Sequence, residues 1–386
     1  MKKLLIIHTK YRNIGGEDIA VNNEVDLFSK YFKVKVVYFD NNNLKFPYDY
    51  LAFLTNNNSQ SNKKLKEEID SFNPDFAIVH NTWFKANLGI FQILKACNIK
   101  TFLKIHNYRY FCTSSFSSIR HLRGNTLCHA CGFKKKKFQI FNKYFQESYI
   151  KSLFAIIYGK KYIDTLLKSK IQILVLTKNH KEFISEFLGL KNNVNVFPNI
   201  LEIEIEKLDL NQHKNENYLI YAGRISQEKG IHELIKNFLE IQINDLSLKV
   251  VGEGPERKKL ETLYKGNEKI NFLGYLNNHD VKKEILGSFA VVTATKLFEG
   301  QPTLLTEASK LGKPSIFPNS GGISEFFPEG YEFKFNQFDY DDLKRKIMTL
   351  YFSEKCNQVG VENKQFIDNY LDEEKLIKDF MRYIEL

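Results

Sequence analysis

Two carboxylates in the second half of the chain stand eight residues apart, in a segment that reads FEGQPTLLTE from Phe298 to Glu307. The segment follows an apolar run, residues 290–293, that is typical of a buried strand. Pro302 suits the first turn of a helix, so we predict that Glu307 lies about two turns below the loop that carries Glu299. One carboxylate can then bond the hydroxyl groups of a ribose while the other faces a sugar, and the first-turn amides can hold an anion. The alternative is that Glu299 only complements the helix dipole, which is worth about 0.3–1 kcal/mol.

Two cations follow the apolar run Tyr218–Ala222, in the loop GRISQEKG. Arg224 offers planar, bidentate hydrogen bonds and Lys229 offers a mobile point charge, and together they suit the binding of a diphosphate. A pair of cations on a loop is more often solvated surface. Their place at the carboxyl end of a predicted strand favours the binding role.

Four further segments with glycines or a histidine also follow predicted strands. Glycine lets the backbone approach a phosphate closely, and the start of a helix adds amide donors. Each segment is weak evidence on its own, and a lone histidine is more often structural. The four are Gly15-Gly16-Glu17-Asp18, His106-Asn107-Tyr108-Arg109, Gly252-Glu253-Gly254, and Asn319-Ser320-Gly321-Gly322 with Glu325.

Apolar, β-branched runs alternate with stretches of helical period along the chain. This alternation predicts an α/β fold of two doubly wound parallel sheets, whose ligands bind at the carboxyl ends of the strands. We place the first domain at 1–197, a linker at 198–217, the second domain at 218–365 and an amphipathic tail helix at 366–386. The segment 41–64, rich in Asn and Lys, is predicted to be a mobile loop. The predicted strands are 4–8, 34–38, 76–80, 101–106, 173–177, 218–222, 248–251, 270–273, 290–293 and 314–317, and two of the predicted helices are 228–240 and 255–264.

The order GGE…HN…PN…GRxxxxKG…GEGP…EGxPxxxxE…GG resembles family 4 of the retaining glycosyltransferases. The resemblance runs from about Gly15 to Glu325, and its most specific motifs are EGxPxxxxE and GRxxxxKG. It implies the GT-B fold, in which two Rossmann-like domains face each other across a cleft, and a last helix that typically crosses back to the first domain.

The resemblance also implies roles for individual positions. Arg224 and Lys229 would bind the diphosphate of the donor, and Glu307 its ribose. His106, near the reacting carbon, and Glu299, beside the transferred sugar, would be the catalytic residues. Many members have His-Asp where this chain has His106-Asn107, so the resemblance implies no role that needs a carboxylate at this position. The other predicted donor-binding positions are Gly15, Gly16, Gly252, Gly254, Gly300, Gln301, Pro302 and Thr303.

The net charge of +11 is concentrated in one region. Between Lys100 and Lys170 there are 15 Lys or Arg against two acidic residues, so the rest of the chain is close to neutral. At its centre, residues 133–145 combine four consecutive lysines with aromatic residues. This composition suits the surface of an anionic membrane, and a solvated lysine face is an equally good interpretation. No nucleic-acid-binding signature accompanies it, so we expect no nucleic-acid partner.

Five cysteines in a long chain without a secretory signal argue against a disulfide framework. We expect a cytoplasmic protein that can bind the inner face of the membrane. Cys112, Cys128 and Cys131 have metal-like spacing. A fourth ligand is missing from the pattern, with His121 and His129 as candidates only, so reduced cysteines are the preferred interpretation. No metal or other cofactor is expected, since no carboxylate cluster of the DxD type stands out.

These observations predict a glycosyltransferase. It would move a hexosyl or N-acetylhexosaminyl unit from a nucleotide sugar, such as a UDP-sugar, to a hydroxyl of a glycan or polyprenyl-linked acceptor in polysaccharide synthesis. A nucleotide-sugar 2-epimerase or a glycan phosphorylase of the same fold is one alternative. A basic binding module without catalysis is another, although it leaves the carboxylate and cation pairs without a purpose.

Overall fold

The structure is a computed structural model that describes residues 1–10, 16–108, 111, 148–169, 171–190, 193–201 and 216–385. Gly15, Arg109, Cys112, Cys128, Cys131 and the segment 133–145 lie outside the described residues, as does most of the predicted linker. The described chain forms two compact units. One contains the residues up to Ile200 together with those from Glu373 onward, and the other runs from Leu201 to Asp372.

The first unit is a parallel sheet with helices between its strands. Its described elements are β1 (Lys3–Lys10), α1 (Gly16–Ser29), β2 (Lys33–Asp40), α2 (Tyr48–Thr55), α3 (Ser59–Phe72), β3 (Phe76–Val79), α4 (Ile90–Ala96), β4 (Lys100–Ile105), α5 (Tyr149–Ser169), β5 (Gln172–Val175), α6 (Lys178–Leu188) and β6 (Val194–Val196). The strands pair in the order β2-β1-β3-β4-β5-β6, and every pairing is parallel.

The second unit repeats this architecture. Its described elements are β7 (Tyr218–Ala222), α7 (Ile231–Leu239), β8 (Ser247–Val251), α8 (Arg257–Leu263), β9 (Ile270–Gly274), α9 (Asn278–Gly287), β10 (Ala290–Val292), α10 (Thr303–Lys310), β11 (Ser315–Asn319), β12 (Lys334–Asn336), α11 (Tyr340–Tyr351) and α12 (Cys356–Tyr370). The order β12-β11-β10-β7-β8-β9 is that of a dinucleotide-binding Rossmann sheet. Two doubly wound α/β units are therefore confirmed.

The last helix, α13 (Glu373–Glu385), belongs to the first unit. Its Phe380 is fully buried there, and the Lys100 ammonium donates to the Ile384 carbonyl oxygen at 2.7 Å. The helix therefore completes the core of a sheet whose strands lie some 180 residues or more earlier in the chain. The ring of Phe380 lies within 4.9–6.2 Å, between centroids, of the rings of Phe28, Phe32, Phe76, Phe102 and Phe197.

All ten predicted strands are present, each within two residues of its predicted ends. The two missed strands, β6 (VNV) and β12 (KFN), have three residues each and include polar residues, so they lack the continuous apolar run that marked the equally short β10. The predicted helix 228–240 is wrong at its start. A short 3₁₀ turn ends at Lys229, and Gly230 takes a φ of 69° before α7 begins, so the glycine breaks the helix.

The predicted mobile loop at 41–64 is also wrong. The segment forms α2 and the start of α3. In α2, Ala52 and Phe53 are buried, and the Asn58 side chain caps α3 by accepting a hydrogen bond from the Ser61 amide at 3.0 Å. Its asparagines therefore end and begin helices. Among the described helices, none is both long and apolar enough to cross a bilayer.

Candidate functional site

Two loops of the second unit leave the sheet at the point where its strand order reverses. The loop after β7 carries Arg224 and Lys229, and the loop after β10 carries Glu299. Strands β7 and β10 are hydrogen-bonded neighbours, although about 70 residues separate them in sequence. In open α/β sheets, ligands bind in the crevice that forms at such a reversal. The predicted cations and the predicted carboxylate are thus brought to the ligand-binding end of one sheet.

Lys229 and Glu299 contact each other directly. The Lys229 Nζ lies 2.6 Å from the Glu299 Oε1, and the same oxygen accepts a hydrogen bond from the Thr295 hydroxyl at 3.0 Å. Both side chains of the ion pair are only 20–30% exposed. The ion pair therefore holds the Lys229 ammonium in place at the carboxyl end of the sheet. Its partner residue Thr295 was not singled out from the sequence.

The charge state of Glu299 follows from these contacts. Burial raises the pKa of the Glu299 carboxyl, but the Lys229 ammonium and the hydrogen bonds from Lys229 and Thr295 more than offset that effect. The net pKa lies below its ordinary value, so Glu299 is ionised at neutral pH. An ionised carboxylate can accept hydrogen bonds from sugar hydroxyls.

Arg224 differs from Lys229 in having an exposed side chain. Among the residues that the structure describes, none bonds its guanidinium group. Its backbone carbonyl accepts a hydrogen bond from the buried Tyr221 hydroxyl at 2.9 Å, which holds the loop against the strand. The guanidinium thus keeps all its donors for an anion.

Glycines hold the loops of this site together. At Gly252, Gly254 and Gly321, a Cβ atom would collide with the backbone of a neighbouring loop. Only glycine permits so close an approach of two backbones. The loops after β7 and β8 therefore pack against each other, as do the loops after β10 and β11. The predicted contact of Gly252 and Gly254 with a donor stays a prediction. A Cβ at Gly252 would collide with the Gly223 carbonyl oxygen, one at Gly254 with that of Ile225, and one at Gly321 with that of Glu299.

The start of α10 supplies the remaining predicted donor contacts. Pro302 is its N-terminal cap residue, and the Pro302 carbonyl accepts from the Thr306 amide and hydroxyl, both at 2.9 Å. Gln301 is buried and Thr303 is exposed. The amides of a first helical turn have no acceptor within the helix, so this end can bind an anion.

Glu307 lies further along α10, as the spacing predicted. Burial raises the pKa of its carboxyl to about 7, and the more distant Lys282 opposes the rise only in part. Burial destabilises the ionised form of this carboxyl. Hydrogen bonds from the hydroxyls of a bound ribose would stabilise that form again.

The first unit brings a second polar group of residues to the carboxyl end of its sheet. His106 follows β4, and its Nε2 lies 2.9 Å from the Nδ1 of His80, which follows β3. The planes of the two rings make an angle of 25°, and their centroids are 5.2 Å apart. Burial, together with the nearby charges of Lys104 and the other histidines, lowers the pKa of both rings well below the ordinary value. Both histidines are therefore neutral.

Beneath the histidines lies a buried ion pair that the sequence did not reveal. Lys104, in β4, contacts Glu24, in α1, and both side chains are fully buried. The Lys104 ammonium also lies 4.7 Å from the centre of the Phe197 ring and 3.4 Å from the Pro198 carbonyl oxygen. A lysine inside an apolar strand was the one signal that could have pointed to the pair, because such a lysine needs a partner.

Comparisons with known proteins agree with this architecture. Residues 202–366 match the family model described as Glycosyl transferases group 1. Together with the two doubly wound units, this match supports a glycosyltransferase with the GT-B fold.

Proteins with similar sequences are also glycosyltransferases by name. The chain is 26% identical to an uncharacterized glycosyltransferase of Methanocaldococcus jannaschii, over 82% of this chain and 73% of the relative. It is 25% identical to the capsular polysaccharide biosynthesis glycosyltransferase CapM of Staphylococcus aureus, over 81% of this chain and 84% of CapM. The crystal structure of Anabaena HepE in complex with UDP and glucose superposes with a TM-score of 0.67 at 12% identity, and the match covers 100% of both chains.

Proposed function

We propose that the protein is a retaining glycosyltransferase of family 4 that uses a nucleoside-diphosphate sugar. It transfers a hexosyl or N-acetylhexosaminyl unit to a hydroxyl of a glycan or polyprenyl-linked saccharide during polysaccharide synthesis. The observation that carries the proposal is the cluster of Arg224, Lys229 and Glu299 where the second sheet reverses its order. The complex of HepE with UDP and the role of CapM in capsule synthesis support a UDP-sugar and a polysaccharide product.

The demanding step is departure of the nucleoside diphosphate, which gains negative charge as its bond to the sugar carbon breaks. Arg224, Lys229 and the first-turn amides of α10 stabilise that charge, and Lys229 is already held beside the site by Glu299. The acceptor oxygen then bonds the sugar carbon on the face that the diphosphate left, and its proton passes to the departing diphosphate. Glu299 orients the sugar, and Glu307 bonds the ribose. We assign no cofactor or metal to this chemistry.

A thermal-shift experiment tests the donor site. Purified protein is mixed with UDP, GDP, dTDP and their sugars, with EDTA present. A ligand at a hundred times its dissociation constant that binds only the folded state adds about 2.7 kcal/mol to the free energy of unfolding. We expect a selective shift that survives EDTA and disappears in Arg224→Ala. If no nucleotide shifts the melting temperature at millimolar concentration, the transferase proposal is wrong.

We also propose that the first unit binds the cytoplasmic surface of an anionic membrane, where a polyprenyl-linked acceptor would lie. The segment 133–145, which suggested this partner, lies outside the described residues. Support comes from α2 and the residue before Pro47. Phe46 is 82% exposed, Leu51 is 58% exposed, and Tyr50 and Leu54 are exposed at a spacing of four residues within α2. The Phe46 ring lies 5.5 Å from the Tyr50 ring, between centroids. Exposed apolar rows of this kind mark interaction surfaces.

Helix α5 adds to this surface. Ile150 is 70% exposed and Leu153 is 50% exposed, and the exposed Lys151 lies between them. The two helices touch, because the Phe53 ring lies 6.1 Å from the Phe154 ring. Apolar side chains beside lysines match the headgroup region of an anionic bilayer.

Vesicle sedimentation tests the membrane proposal. We expect binding to vesicles rich in phosphatidylglycerol, no binding to pure phosphatidylcholine, and loss of binding at high salt. Leu51→Glu and Ile150→Glu should each weaken binding about tenfold or more, because each removes an exposed aliphatic side chain whose burial in the bilayer would contribute about 1.5–3 kcal/mol. Phe352→Glu is the matched control, since Phe352 is 69% exposed in the second unit. Equal binding of all three variants would overturn the proposal.

A further inference from the structure

Four side chains of the first unit form a chain of contacts from its interior to a small cavity. The Lys104 ammonium contacts Glu24 through Oε1, and the Glu24 Oε2 lies 3.5 Å from the His80 Nε2. The His80 Nδ1 then lies 2.9 Å from the His106 Nε2. Neither the Glu24 Oε2 nor the His80 Nε2 has a hydrogen-bond partner of its own among the described residues.

We propose that Glu24 and His80 hold His106 in the tautomer with its proton on Nε2, so that its Nδ1 accepts a hydrogen bond from a hydroxyl group of a ligand in the cavity that His106 lines. The identity of that ligand rests on the proposed function. The direction of the hydrogen bonds rests on the geometry of this chain alone. In this arrangement Glu24 and His80 are positioning residues.

The direction follows from what each nitrogen faces. A neutral imidazole carries one proton, and the other nitrogen is an acceptor. If the His80 proton were on Nδ1, the lone pair of Nε2 would face the Glu24 carboxylate, and two buried acceptors would repel each other. With the proton on Nε2, His80 donates toward Glu24 and its Nδ1 accepts from the His106 Nε2. This is how a carboxylate sets the tautomer of a histidine in many active sites.

Lys104 keeps this direction in place. A proton on Glu24 would let the carboxyl donate to His80 and reverse the chain of hydrogen bonds. Burial raises the pKa of Glu24 and lowers that of Lys104, while the direct contact of the two favours both charged forms. With Lys104 donating to it, the Glu24 carboxylate remains an acceptor on its other oxygen.

His106 ends this series of contacts at a nitrogen that has no partner among the described residues. Its Nδ1 is buried and makes no hydrogen bond to any described residue. His106 lines a small cavity together with Glu17, Asn81, Asn107 and Tyr162. A buried acceptor without a partner is unfavourable, and a ligand hydroxyl group would satisfy it. This is the observation that points to a ligand.

Nitrogen NMR of the full chain labelled with ¹⁵N-histidine tests the tautomer without any activity assay. The signals of His106 are assigned by their loss in His106→Gln. We expect the shift of a protonated nitrogen at Nε2 and that of an unprotonated nitrogen at Nδ1, for both His106 and His80. The opposite tautomer, or a mixture of both, would overturn the proposal even if the protein transfers sugar as expected.

Glu24→Gln is the decisive variant. The amide oxygen at position 24 can still accept from Lys104, but its NH₂ group donates to the His80 Nε2 and reverses the chain of hydrogen bonds. We expect the proton of His106 to move to Nδ1 in the NMR spectrum. We also expect kcat to fall about tenfold while the thermal shift by the nucleoside diphosphate stays unchanged. An unchanged tautomer in a folded variant contradicts the proposed direction.

His180→Phe is the matched control. His180 is fully buried in α6, neither of its ring nitrogens has a partner among the described residues, and its ring packs 4.4 Å from that of Tyr108. The substitution removes a buried histidine near His106 but outside the chain of contacts. We expect both the His106 tautomer and kcat to be those of the unmodified protein. A third outcome is that nucleotides bind and the tautomer is as expected, but Glu24→Gln leaves turnover unchanged. In that case the proposed role of His106 toward the ligand is wrong, and the proposed donor site is unaffected.

Discussion

Arg224→Ala and Lys229→Ala each lower kcat/KM for the sugar donor by one to two decades or more. A hydrogen bond to a charged group contributes about 1.5–3 kcal/mol, and about 1.4 kcal/mol corresponds to a factor of ten in rate. The diphosphate gains charge as it leaves, so the loss should fall mainly on kcat. Initial-rate kinetics with the donor found by thermal shift would measure it.

Arg224→Ala and Lys229→Ala should differ in whether they leave another charged group without its partner. Arg224 is exposed and unpaired among the described side chains, so its removal leaves no other group without a partner. Removing Lys229 leaves the Glu299 carboxylate without its 2.6 Å partner and beside an anionic substrate. Lys229→Ala should therefore be the worse variant, and Lys229→Ala with Glu299→Gln should recover part of the loss. Arg345→Ala is the control, because its guanidinium is 68% exposed and pairs with Asp342. Wild-type rates in Arg224→Ala would exclude a diphosphate at this loop.

Lys104→Met destabilises the first unit by about 3–5 kcal/mol, because it leaves the Glu24 carboxylate buried and unpaired. For a unit of about 200 residues, 1 kcal/mol corresponds to roughly 2–4 °C, so the melting temperature should fall by about 6–20 °C. Calorimetry or thermal unfolding followed by circular dichroism would measure the change.

The double variant Glu24→Gln with Lys104→Met identifies the cause. It removes both charges, so most of the lost stability should return. Lys344→Met is the control for losing exposed ion pairs, since the two partners of Lys344, Glu240 and Asp341, are 47% and 83% exposed, and we expect a change below about 1 kcal/mol. A loss in Lys104→Met no larger than in Lys344→Met would mean that the buried pair carries no such energy.

Sequence patterns predicted the sheets and the loops after their strands well. Continuous apolar runs such as those of β7 and β10 are buried on both faces, and that pattern is local. Once a doubly wound order is assumed, β7 and β10 become neighbours, and Arg224 and Glu299 must lie at the same edge. The family model and the similar structures confirm the fold that this pattern implied.

Pairings between distant residues could not be predicted in the same way. The contacts of Lys229 with Glu299 and of Lys104 with Glu24 join residues 70 and 80 positions apart. Nothing local marks Glu24, on an otherwise ordinary helix, as the partner of a lysine in a strand. The α2 segment was missed for another reason, because polar asparagines at both of its ends hide a short helix whose burial rests on Ala52 and Phe53.

The position of Phe380 has a consequence for how the chain is made. Its five aromatic neighbours all lie before residue 198, but the ring itself follows the whole second unit in sequence. During translation, the segment from Leu201 to Asp372 takes roughly 10–35 s to synthesise at about 5–20 residues per second. For that time the first unit exposes a groove lined with phenylalanine. The second unit can therefore finish folding on the ribosome before the first one does.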